Sequence, residues 1–521
     1  MQDIVNHTTE FVNEPFTDFS TPENIAKMHK GIEIAKSWLG KEYPLVINGE
    51  KIYTDKKETS LNPANLDQLI GTAQFAEKEH AQKAIDAANE TFKTWKKVPA
   101  AERADYLFKV ADLIRERKFE FNALLGFETA KNWAEADADV AEAIDFLEFY
   151  GREMIRYSEG HPLTPVKGEE NKLQYLPLGV GIVLPPWNFP LAIMAGMTTA
   201  SIVTGNTVVL KPSQDAPVIA AKFFELLEEV NLPKGVVNFL TGEGAVIGDY
   251  LTSNPLTRFI AFTGSMEVGL RINEIAAKTQ PGQIWMKRVI AEMGGKDAIV
   301  VDNEANIDDA VQGIVASAFS FQGQKCSACS RAIIVDSVYD EVLAKVKAKT
   351  ESLVMGDPIE NSYLGPVSSQ RSINKIMEYI EIGKTEGTLV TGGERLTDKN
   401  GYFVNPAIFS EIKPDSRLAQ EEIFGPVLAF IRAKDFDHAL EIANNTKFGL
   451  TGSIYTQNPE KIEQGLEEFF VGNLYINRKC TGALVGAHPF GGFNMSGTDS
   501  KAGGKDYLLL FMQAKMTSKK I

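Results

Sequence analysis

From residue 181 to residue 278 the apolar period of the chain switches repeatedly between strand and helix. Strand-like runs at 181–184, 207–210, 236–240 and 259–262 alternate with helical runs at 191–203, 216–230, 245–251 and 266–278. Such alternation predicts a parallel sheet wound with helices on both faces. A sheet of this kind binds its ligand beyond the carboxyl ends of its strands. The turns that follow the strands are therefore where chemistry is sought. A second alternation begins at 298–301 and continues through 332–335, 387–390 and 427–431, which puts a domain boundary near Glu292. With 521 residues the chain has room for two or three domains.

The flanks carry less information. Residues 1–43 are polar and helix-like, and read as an arm lying on the surface. Residues 45–76 read as short strands with turns, one of them at Asn48-Gly49. Ile85, Ala88, Phe92 and Trp95 recur at helical spacing, as do Leu107, Val110, Ala111 and Ile114. A third helix, over 134–152, is expected to be acidic on its outer face. The segment 157–175 is broken by Gly160, Pro162, Pro165 and Gly168. The tail, 506–516, alternates apolar and polar residues like a lone strand, which needs a partner.

Composition excludes some roles. A net charge of −15 disfavours a nucleic-acid partner, which would want a basic face. Three cysteines make no disulfide framework and fit a reducing compartment. Met1-Gln2-Asp3-Ile4 does not begin a basic segment followed by an apolar run, so no secretory signal is expected. No apolar stretch approaches the roughly 18 residues of a membrane span. The cytoplasm is the expected location.

Four stretches stand out: Pro185-Pro186-Trp187-Asn188-Phe189-Pro190, Glu292-Met293-Gly294-Gly295-Lys296, Gln324-Lys325-Cys326-Ser327-Ala328-Cys329, and Glu422-Ile423-Phe424-Gly425-Pro426. Each has an ordinary reading alone. A cysteine is commonly a small buried hydrophobe, Asn188 is a turn residue between prolines, and Glu292 is an exposed acid at a strand end. Two turns suggest a dinucleotide. Gly242-Glu243-Gly244-Ala245-Val246-Ile247-Gly248 nearly matches the glycine fingerprint, with its last spacing one residue too long. Phe262-Thr263-Gly264-Ser265 could meet a pyrophosphate at a helix N-terminus, or Ser265 could be a plain N-cap. Cys329 forms a C-x-x-C with Cys326, but with only Cys480 besides, no closed zinc site is expected.

Taken together and in this order, the four motifs resemble the aldehyde dehydrogenase superfamily, from about residue 44 to the C-terminus. The resemblance implies an α/β fold with a Rossmann-like parallel-sheet cofactor domain (44–155 and 176–291) and an α/β catalytic domain (292–499). It also implies a β-hairpin oligomerisation element (156–175 and 500–521), and hence a homo-oligomer, a dimer or higher. The matching nucleophile is Cys326. Its thiolate adds to the aldehyde carbon. The Asn188 carboxamide and the Cys326 N–H match the oxyanion donors, and Glu292 matches the base that activates water against the thioester. For NAD the resemblance assigns Pro186, Trp187, Lys211, Ser213 and Gln214, then Gly244, Gly248, Phe262, Ser265 and Met293. Glu422 and Phe424 hold the nicotinamide ribose and ring. Gln214 stands where relatives often carry a ribose-binding glutamate; an amide would not repel a 2′-phosphate, which leaves NADP possible.

Asn477 to Gly486, running into Pro489-Phe490-Gly491-Gly492, together with Lys325-Cys326-Ser327, resembles the 1-pyrroline-5-carboxylate dehydrogenases within that superfamily. These oxidise L-glutamate γ-semialdehyde to glutamate in proline and arginine breakdown. The resemblance puts the amides of Gly482 and Ala483 and the hydroxyl of Ser327 on the substrate carboxylate. Phe189 and Phe490 would sandwich its chain. Glu135 is a candidate for its ammonium, although an acidic run is more commonly a solvated face. The alternatives are an enzyme for another aldehyde acid, a non-catalytic protein on this fold, or a cysteine hydrolase. The second predicts loss of Cys326, Glu292 or Asn188, and all three are present. The third lacks a histidine near Cys326 in sequence.

Overall fold

The computed structural model describes residues 10–521; residues 1–9 of the expected arm lie outside the described residues. Two seven-stranded sheets dominate. The first has a parallel centre in the order Arg288–Glu292, Thr257–Thr263, Val180–Leu184, Thr207–Leu210, Val237–Phe239. Leu45–Ile47 and Glu50–Ile52 finish one edge antiparallel, joined through Asn48-Gly49. Thr207–Leu210 is buried throughout and Val180–Leu184 at all but its last residue, as expected of parallel strands covered on both faces.

The chain order decides where the crevice lies. From Val180–Leu184 the next two strands are added on one side. Thr257–Thr263 then returns to the other side of Val180–Leu184. Such a reversal opens a crevice at the carboxyl ends. The second sheet runs Thr388–Thr391, Ala407–Ser410, Val427–Ala433, Cys329–Val335, Asp297–Val301, Thr451–Tyr455, Asn473–Ile476, antiparallel only at its first pair. Glu292 ends a strand of the first sheet and Asp297 begins one of the second, so Met293-Gly294-Gly295-Lys296 is the crossing.

Three expectations change in the structure. The helix Pro22–Lys36 does not simply lie on the surface, since Met28, Ile32 and Ala35 are buried in the largest core. Their spacing is an apolar stripe one side chain wide, too narrow to stand out in a polar stretch. The helix Trp133–Ser158 does not turn its acids outward: Asp137, Asp139 and Asp145 are buried. Each has a partner that sequence proximity does not reveal. Asp137 accepts from the Thr17 N–H and hydroxyl at 2.7 Å each, and Asp145 from Asn13 Nδ2 at 2.7 Å and the Glu14 N–H at 2.6 Å. Asp139 pairs with Lys131 at 3.0 Å. Finally, the tail strand, Met512–Lys520, has its partner within the chain: it pairs antiparallel with Glu169–Pro177 along its whole length. No helix among the described residues is long and apolar enough to cross a membrane.

Candidate active site

Cys326 follows the helix Ile307–Phe319 and a tight turn, Ser320–Gly323. Phe321 (φ 50°) and Gln322 (φ 54°) are both left-handed there, a conformation that costs non-glycine residues roughly 1–2 kcal/mol each. Long-range bonds hold the strained turn. The Ser368 N–H donates to the Gln324 side-chain oxygen at 2.9 Å, and Asn188 Nδ2 donates to the Gln324 carbonyl at 3.1 Å. Asn188 lies just past the carboxyl end of Val180–Leu184, so this bond ties the first sheet to the cysteine loop of the second. One Nδ2 hydrogen of Asn188 remains. The Cys326 N–H has no acceptor among the described residues. Burial pushes the Cys326 thiol up, and the carboxylates of Asp297, Glu422 and Glu292 push in the same direction.

The Glu292 carboxyl is buried and is pushed up to about 8 by that burial, against the stabilising bonds from Ser500 and the Gly492 amide. Its Oε1 accepts from Ser500, while Oε2 is buried without a partner among the described residues. Beyond it, Gly294 and Gly295 admit two close neighbours. A Cβ on Gly294 would stand 2.2 Å from the Glu422 carboxylate, and one on Gly295 would stand 2.6 Å from the Cys326 carbonyl. The Gly295 N–H donates to Glu422 Oε1 at 3.1 Å.

The residues expected at the cofactor gather along the carboxyl edge of the first sheet. Pro186 and Trp187 leave Val180–Leu184, and the Trp187 ring meets Phe424 edge-on at 5.5 Å. Phe424 is left-handed, φ 64°. Lys211, Ser213 and Gln214 leave Thr207–Leu210; Lys211 is buried, with Nζ 3.0 Å from the Pro212 carbonyl. Gly244 and Gly248 lie one turn apart on the helix Gly244–Ser253, and a Cβ on either would meet open space. They do not make the close helix–strand contact of the fingerprint; they leave one helix face bare. Ser265 caps the helix Met266–Ala277, accepting from the Val268 N–H at 3.4 Å. Phe262 is buried at the preceding strand end, and Met293 is pinned by its N–H to the Ser496 carbonyl at 2.7 Å.

Cys326, Ser327, Glu292, Phe189, Phe490, Gly482 and Ala483 all line one cavity of about 510 Å³. Arg478 donates to the carbonyls of Thr481 (3.2 Å) and Gly482 (2.9 Å), and Gly482 is left-handed at φ 77°. The amides of Gly482 and Ala483 have no acceptor among the described residues. Glu135 is not on a solvated face. It lines this cavity and pairs with Lys325 at 2.7 Å. Burial alone would raise the Glu135 carboxyl, yet the Lys325 ammonium holds it below its ordinary value.

Sequence reasoning missed Lys131, Asp139 and Glu142. Lys131 Nζ sits 3.6 Å over the Phe189 ring and 4.8 Å over that of Phe321, so the buried ion pair with Asp139 fixes a cavity wall. Glu142 lines the cavity and is pushed up to about 8 by burial and by Asp139. A lysine and two acids spaced along amphipathic helices give no local signal. Phe16 and Thr17 line one side of the cavity, held there by the bonds that Asp137 accepts from Thr17 and Asp145 accepts from Asn13 and Glu14. Cys329 and Cys480 are buried together in one core cluster. No group of three or more His, Cys, Asp or Glu among the described residues is arranged to hold a metal.

A half-buried thiol, a carboxamide bonded to its loop and a raised carboxyl thus gather at the carboxyl ends of a parallel sheet. The chain belongs to the aldehyde dehydrogenase family, whose model matches residues 52–517. Among its relatives is the 1-pyrroline-5-carboxylate dehydrogenase of Geobacillus sp. (strain WCH70). The two are 58% identical over 509 residues, spanning 98% of this chain and 99% of the relative. The structure of 1-pyrroline-5-carboxylate dehydrogenase from Thermus with bound NAD superimposes with a TM-score of 0.97 at 50% identity, covering 99% of this chain and all of that one. Betaine aldehyde dehydrogenase from Staphylococcus aureus in complex with NAD+ is similar at 27% identity, TM-score 0.88, over 95% and 97% of the two chains.

Proposed function

We infer that the chain is an NAD-dependent dehydrogenase that oxidises L-glutamate γ-semialdehyde to L-glutamate. The observation that carries this reading is the single cavity shared by Cys326, Glu292 and the unpaired amides of Gly482 and Ala483. Such amides, with the Ser327 hydroxyl, suit a carboxylate held away from the reacting carbon. The near full-length similarity to 1-pyrroline-5-carboxylate dehydrogenases supports the same substrate.

Cys326 attacks the aldehyde carbon. Its thiol is pushed up, so it must lose its proton as it attacks, and Glu292, raised to about 8 and lining the same cavity, is the candidate acceptor. The oxyanion accepts from Asn188 Nδ2–H and the Cys326 N–H, donors worth about 2.7–4 kcal/mol each. Bound NAD supplies the hydride acceptor. The residues suit it: Trp187 and Phe424 meet edge-on, Glu422 is held by the Gly295 amide, and an open helix face begins at Gly244. Oxidation leaves a thioester on Cys326, and Glu292, having released the thiol proton to solvent, then takes a proton from the attacking water.

The reading divides the chain into an N-terminal arm (1–43), a cofactor domain (44–155 and 176–291), a catalytic domain (292–499) and an oligomerisation element (156–175 and 500–521). The two-stranded sheet of Glu169–Pro177 and Met512–Lys520 stands apart from both large sheets, which supports its use between subunits of a homo-oligomer. A cytoplasmic location completes the proposal. The test is steady-state kinetics with glutamate semialdehyde against simple aliphatic aldehydes, each with NAD and NADP. A kcat/KM no better for the semialdehyde than for propanal would refute the substrate.

A further inference from the structure

At the carboxyl end of Thr207–Leu210 the expected ribose carboxylate is missing from its usual position, since Gln214 stands there. A different carboxylate has come in. Gln214 Nε2 donates to Glu58 Oε1 at 2.6 Å. Glu58 belongs to the strand Lys57–Asn62 of a separate three-stranded sheet, more than 150 residues earlier in the chain. Its other oxygen, Oε2, is buried and has no partner among the described residues. Beside it, the buried Lys211 ammonium has one acceptor among the described residues, the Pro212 carbonyl. Glu58 and Lys211 are close enough for each charge to act on the other.

A buried carboxylate oxygen with no donor is costly, about 1–3 kcal/mol or more for a charged group. Within electrostatic reach of it is an ammonium with hydrogens to spare. A group that both donates and accepts would satisfy both, and a neutral vicinal diol does so. In an open α/β sheet the acid at a strand end receives the ribose hydroxyl of NAD, whereas a 2′-phosphate needs a cation there. We propose that Glu58, held by Gln214, is the carboxylate that receives the adenosine ribose of NAD and disfavours NADP. The carboxylate is therefore displaced to another strand, not lost, and Gln214 becomes a positioning residue. This reverses what Gln214 alone suggests about NADP. The inference rests on the cofactor reading given above.

The experiment is direct titration of the full-length enzyme with NAD and with NADP by calorimetry, alongside kcat/KM for each cofactor. The wild type is expected to bind NAD about tenfold or more tightly than NADP. Glu58→Gln should weaken NAD and strengthen NADP, so that the ratio falls at least about tenfold. Glu58→Asp keeps the charge but not the reach, so it should weaken NAD while NADP stays weak. Gln214→Met should weaken NAD less than Glu58→Gln does. Lys211→Ala separates the two levels of the argument. If it weakens NAD while Glu58→Gln and Glu58→Asp leave both affinities within about twofold, the Glu58 proposal is overturned and the cofactor site stands. If neither position alters NAD binding, the cofactor reading itself is wrong.

Discussion

At the cofactor end, five parallel strands stop along one edge, and each releases a turn of a few residues: 185–190, 211–214, 242–244, 263–265 and 292–296. At the aldehyde end, the cavity wall comes from the helix Trp133–Ser158, the loop 478–490, the cysteine turn and the segment around Phe16. These pieces are distant in sequence and are joined by polar bonds, most of them partly buried, and by apolar packing. The first region is a regular scaffold with the proposed cofactor-binding turns at its rim. The second is a set of irregular pieces held by charge: Lys131 with Asp139, Lys325 with Glu135, and Asp137 and Asp145 with residues 13–17. Scaffold strands tolerate changes at their ends, whereas a cavity fixed by buried ion pairs should be sensitive to loss of one partner.

The comparison predicts that chemistry and cofactor binding separate cleanly. Cys326→Ala should lower the rate of NADH formation by about 10⁴-fold or more, with NAD affinity by calorimetry unchanged. Loss of both together would mean that the two regions are one cooperative unit. Next in size is Glu292→Gln, expected to cost about 10²–10⁴-fold in turnover. It should still allow an initial burst of NADH if another group or solvent takes the thiol proton, and the acyl-enzyme should then be visible by intact mass. A base acts only when deprotonated, and burial raises Glu292 to about 8. Wild-type kcat should therefore rise with pH up to about that value and then level off. A pH-independent kcat over this range would remove Glu292 from the rate-limiting step.

Lys131→Met tests the cavity support. It leaves Asp139 buried without its cation, a loss of about 3–5 kcal/mol in unfolding free energy. Denaturant titration should show it, together with a raised KM for the aldehyde from a displaced Phe189. NAD affinity should not move if the regions are independent. The smallest effect is expected for Ser327→Ala, which removes one hydroxyl donor to a charged acceptor, roughly 1.5–3 kcal/mol. It should raise KM for glutamate semialdehyde and leave kcat/KM for propanal nearly unchanged. Equal losses on both substrates would make Ser327 a support for Cys326 and not a carboxylate anchor.

Much of the first region could be read from contiguous residues. Four of the five central strands fall within two residues of the runs seen in the sequence, because a buried parallel strand must be apolar on both faces and a helix must follow it. Arg288–Glu292 was not anticipated beyond its final glutamate, since its period is short and begins with a charge. The cysteine turn could be located from sequence, but not its left-handed backbone at Phe321 and Gln322. That conformation persists because Ser368 and Asn188 hold Gln324 from elsewhere in the chain.

By itself the sequence determined the alternation, the turns at the strand ends, the order of the motifs and the residue types that can carry acyl-cysteine chemistry. These are local properties: a period of 2 or 3.6 and a turn of a few residues need no knowledge of distant chain. Only the tertiary structure decided which way charges point. The acids of Trp133–Ser158 turn inward because Lys131 and the backbone of residues 14–17 meet them there, and Gln214 faces a carboxylate because Glu58 arrives on another strand. Burying a charge is favourable only with a partner in place. The partner is set by how the chain packs, which adjacent residues do not encode.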